Sequence, residues 1–163
     1  MLNEIASLNL LAELAMTLVG FTGAVTVLGK SAPSEWQGTA RLRLTNLLVT
    51  SLMPLFMAFL SLILLHASLN EVVVWRIISA IGAAVFLVTG SVNLRAITRR
   101  NVSDPHPNPV VGLLLAVASL IVGLVSLWNG LFAGAFWPVY LLLCSALAIG
   151  CYMFVRLIFD PLT

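Results

Sequence analysis

Residues 110–155, VVGLLLAVASLIVGLVSLWNGLFAGAFWPVYLLLCSALAIGCYMFV, contain no Asp, Glu, Lys or Arg. As one straight helix this run would be about 70 Å long at 1.5 Å per residue, more than twice the roughly 30 Å core of a lipid bilayer. The run must therefore fold back on itself. We predict the reversal between residues 128 and 138, because Asn, Gly and Pro interrupt helices and this stretch contains Asn129, Gly130, Gly134 and Pro138. The pattern predicts two membrane spans, over residues 110–128 and 136–159.

The rest of the chain is also strongly apolar. Of the 163 residues, 61% are hydrophobic and 9% are charged, whereas soluble domains have about 25% charged residues. Since a membrane span needs roughly 20 apolar residues, we predict three further spans at about 8–29, 44–67 and 72–94. The expected fold is an all-α integral membrane protein, with residues 1–163 forming a single bundle of five transmembrane helices.

The positions of the basic residues predict how the bundle is oriented. All but one of the eight lie in the first and third connections or near the C-terminus, and Arg76 is the exception. The positive-inside rule assigns the larger group to the cytoplasm: Lys30, Arg41, Arg43, Arg95, Arg99, Arg100 and Arg156. This places the N-terminus outside and the C-terminus in the cytoplasm. The same residues form a collar expected to attract anionic lipid headgroups.

An alternative topology has four spans and a first helix that lies in the membrane interface. It keeps the same cytoplasmic loops. Residues 14–29 are apolar all round, whereas an interfacial helix needs a strongly polar face. The sequence therefore favours a first helix that spans the membrane.

A stripe of small residues follows one face of the predicted fourth span. Its members recur at steps of three and four, the spacing of one helix face: Gly112, Ala116, Ser119, Gly123 and Ser126. Small residues let helices approach closely in lipid. The stripe suits either a neighbouring helix of the same chain or a second copy. Because five short helices make a small bundle, we expect a homo-oligomer or a larger membrane complex.

Three ionisable residues are the candidates for chemistry at the outer side of the membrane. Glu13, His66 and Arg76 all fall in the outer leaflet of the predicted topology. Ionisable groups at membrane depth are costly and often functional. One hypothesis is a proton- or cation-responsive cluster in which Glu13 titrates, Arg76 supplies the counter-charge and His66 tunes the site. The alternative is that Glu13 and Arg76 form a structural ion pair while His66 faces lipid headgroups.

On the inner side, Asn46 and Asn93 are the corresponding polar candidates. They would either form a polar constriction or hydrogen-bond between helices, as asparagines do in membrane proteins.

Several functional classes lack support in the sequence. The two histidines, His66 and His106, fall on opposite sides of the membrane, so we expect no metal site and no cofactor. No nucleophile, base and orienting acid can be assembled, and we do not expect an enzyme. The basic residues sit at helix ends without a soluble module, which argues against nucleic-acid binding.

Two functions remain as expectations. The first is a structural or accessory subunit of a bacterial inner membrane, in contact with lipids and either copies of itself or a membrane-protein partner. The second is an oligomeric channel or carrier for a proton or small ion, built around Glu13, His66 and Arg76.

Overall fold

The computed structural model describes residues 2–28, 38–67, 69–98 and 109–159, with the side chains at 2, 25–28, 38–46, 96, 109 and 156–159 excepted. Five α-helices and one π-helical turn make up these ranges. In chain order they are α1 (Leu2–Leu28), α2 (Gly38–His66), α3 (Glu71–Thr98), α4 (Pro109–Trp128), the π-turn (Asn129–Ala133) and α5 (Phe136–Phe159). The described ranges contain no strand.

Each of the five described helices is long and apolar enough to cross a membrane. The apolar windows cover residues 3–24, 47–66, 71–95, 110–133 and 136–155. Over the described ranges, the prediction of an all-α chain with five such helices is confirmed. Helix α1 begins at Leu2, upstream of the predicted first span at about 8–29. Glu13 lies within the apolar window of α1, and its depth in a membrane stays a prediction.

The chain divides into two packing units, and the first comprises residues 1–63 and 143–163. Helix α1 contributes a buried face whose members recur at steps of three and four: Leu8, Leu11, Ala15, Leu18 and Thr22. Helices α1, α2 and α5 approach one another closely at Gly150 of α5. A Cβ added there would lie 2.9 Å from Leu18 Cδ2 and 3.3 Å from Ser51 Oγ of α2. The rings of Phe21 and Phe154 also lie 6.4 Å apart.

The second unit comprises residues 64–142, and its centre is the antiparallel pair of α3 and α4. Helix α3 starts at an Asn70 cap, whose Oδ1 accepts a hydrogen bond from Val72 N at 2.9 Å, as N-cap residues commonly do. Glycines allow the two helices to approach along their length. Gly90 of α3 faces Leu120, and Gly123 of α4 faces Leu87. Glycines on both helices therefore allow α3 and α4 to pack closely in the second unit.

Candidate functional site

The small-residue stripe of α4 lies against α3 within the second unit. Ala116, Ser119, Gly123 and Ser126 are all buried. A Cβ added at Gly123 would lie 2.8 Å from Leu87 Cγ, and one added at Gly112 would lie 3.4 Å from Ile97 Cδ1. The stripe thus packs on a neighbouring helix of the same chain, which is one of the two uses that its spacing allowed.

At the end of this stripe α4 does not stop but widens into the π-turn, at Asn129–Ala133. Short π-helical segments of this kind are rare and often occur at functional sites. Gly134 ends the turn in the left-handed conformation, with φ of 63°, and its N–H donates to Asn129 O at 2.9 Å. A left-handed φ of this kind favours glycine, because a Cβ would collide with the following carbonyl.

The Asn129 side chain is fully buried and joins three parts of the second unit. Its Nδ2 donates to Ser79 Oγ of α3 at 2.7 Å and to Ala135 O at 2.9 Å. Its Oδ1 accepts a hydrogen bond from Ala135 N at 2.9 Å. One amide therefore satisfies both backbone groups of Ala135 in the break between helices. In an apolar medium those groups would otherwise cost several kcal/mol.

The π-turn is also held from α3 by Arg76. The Arg76 Nη2 donates to Phe132 O at 2.9 Å. The backbones approach closely beside it, since a Cβ added at Gly130 would lie 3.2 Å from Arg76 O. The rings of Trp75 and Phe136 lie 5.0 Å apart and close the same corner. We call this site the Asn129 corner. It comprises Trp75, Arg76, Ser79, Asn129, Gly130, Phe132, Gly134 and Phe136.

The predicted outer cluster is divided between the two units. Glu13 belongs to the first unit, whereas His66 and Arg76 belong to the second. All three are exposed. The described hydrogen bond of Arg76 goes to a backbone carbonyl of the Asn129 corner. The pairing of Glu13 with Arg76, and the tuning role of His66, stay predictions.

Most of the inner polar and basic candidates fall outside the described side chains. Asn93 and Arg95 are described, and both are exposed. At Asn46, Arg41, Arg43 and Arg156 only the helical backbone is described, and Lys30, Arg99 and Arg100 lie outside the described residues. The inner constriction and the lipid collar therefore stay predictions.

The structural role of Asn129 was missed by the sequence reasoning, which treated the residue only as helix punctuation. Two signals pointed to it. An amide inside a long apolar run needs partners, and Gly130 and Gly134 on either side permit the close backbone approach that supplies them.

The remaining buried polar side chains of the described ranges mostly bond to their own helix. The hydroxyls of Thr22, Ser61 and Ser119 each donate to the carbonyl four residues earlier, at 2.8 Å. The Oγ atoms of Ser51 and Ser126 are buried with no hydrogen-bond partner. In this part of the chain, no group of three His, Cys, Asp or Glu residues is arranged to hold a metal ion.

Comparison with known proteins gives no relative: no family model, curated protein or solved structure matches this chain significantly.

Proposed function

We propose that this chain is a small structural or accessory subunit that packs into a larger membrane complex or with copies of itself. In this proposal all five helices cross a bacterial inner membrane, with the N-terminus outside and the C-terminus in the cytoplasm. The asymmetry of the basic residues along the sequence supports the orientation.

The observation that carries the proposal is how the buried polar groups are used. Asn129 and Ser79 bond to each other, and Thr22, Ser61 and Ser119 bond to their own helices. A conduction path needs polar groups directed at water or at a permeating ion. In the described ranges these side chains instead complete the protein's own hydrogen bonding, as expected of a bundle built for packing.

A transport function is the second candidate, and one observation favours it. Glu13 lies within the apolar window of α1 and is exposed there. Carboxyl groups within membrane spans often serve in proton relays. In this alternative several copies would surround a path lined by Glu13.

Native mass spectrometry of the tagged full-length protein, gently extracted from its own membrane, separates the two functions. The subunit proposal predicts a stoichiometric complex, with a larger companion or as a defined set of copies that conducts nothing. A homogeneous ring of three or more copies whose proton flux in vesicles is abolished by Glu13→Gln would reject it in favour of transport. A monomer with no companion would also reject it.

A further inference from the structure

We draw no further inference here: the strongest candidate, the surface patch around the π-turn made up of the exposed side chains of Arg76, Trp128, Phe132 and Trp137, carries none, because the Arg76 guanidinium is already bonded to Phe132 O within the Asn129 corner and nothing in the structure shows what covers the aromatic side chains.

Discussion

Asn129 forms the hydrogen bonds that hold the break between the π-turn and α5 in the second unit. Its amide uses both hydrogens and its carbonyl oxygen, bonding Ser79 of α3 and both backbone groups of Ala135. No backbone donor or acceptor of Ala135 is then left unpaired where the chain leaves α4. The break lies inside an apolar run, and here side-chain groups supply the hydrogen bonds that water could otherwise make.

Asn129→Ala should destabilise the folded protein without changing its helix count. Three bonds at the membrane average of about 0.6 kcal/mol each imply a loss of roughly 2 kcal/mol. Unfolding in mixed micelles with increasing dodecyl sulfate measures it. The matched control is Ser126→Ala, since this hydroxyl is equally buried but has no hydrogen-bond partner. Removal of such a hydroxyl is close to neutral, so an equal loss in both variants would contradict the assignment.

The bond between Asn129 and Ser79 is separable from the bonds to Ala135. A double-mutant cycle with Asn129→Ala and Ser79→Ala should give a coupling free energy of about 0.6 kcal/mol, within the membrane ceiling of about 1.7. Additive effects would mean that the 2.7 Å contact contributes nothing to stability.

At the scale of elements, α3 and α4 pack through glycine positions on both partners. Gly90 and Gly123 bring each helix against a leucine of the other, and Gly130 brings the π-turn against the backbone of Arg76 and Ala80. Helix association in lipid depends on such close packing, because moving an apolar side chain from lipid to a helix contact gains no hydrophobic free energy. The stripe of α4 thus forms the surface that packs on α3 in the second unit.

Gly123→Ala should lower the free energy of unfolding by disturbing the packing of α3 on α4, because the new methyl group would lie 2.8 Å from Leu87 Cγ. Overpacking of this kind typically costs about 1–3 kcal/mol, measured by the same unfolding titration. Gly23→Ala is the paired control, because a Cβ there meets nothing within 4 Å. If both substitutions had the same effect, the change would reflect helix propensity and not the packing of α3 on α4.

The elements themselves were largely predictable from sequence, and their partners were not. Apolar length and the Asn–Gly–Pro punctuation predicted a fourth span ending at residue 128; α4 ends there, but the apolar helical window continues through the π-turn to residue 133. Periodicity identified the stripe but could not choose between α3 and a second copy, because both would present the same small-residue surface. The π-turn escaped prediction, because it depends on specific hydrogen bonds, such as Gly134 N to Asn129 O at 2.9 Å, that composition does not encode.

At the scale of the whole molecule, surface character varies from helix to helix. Most exposed residues of α2 and α4 are large and apolar, as lipid-facing residues are, whereas α1 exposes large apolar residues together with Glu13 and several small residues. Along the sequence, the basic residues gather in alternate connections. The proposals for orientation and for subunit function both require that α1 crosses the membrane.

The location of the N-terminus tests this requirement most directly. A cysteine at Asn3, in a background where Cys144 and Cys151 are replaced by Ser, would be treated with a membrane-impermeant maleimide in intact cells. A cysteine at Leu69 serves as the outside control, and one appended to the C-terminus serves as the inside control. We predict that Asn3→Cys labels from outside, as Leu69→Cys does, while the C-terminal cysteine labels only after permeabilisation. Protection of Asn3→Cys together with the C-terminus would contradict a spanning α1 and leave a four-span protein with an interfacial first helix.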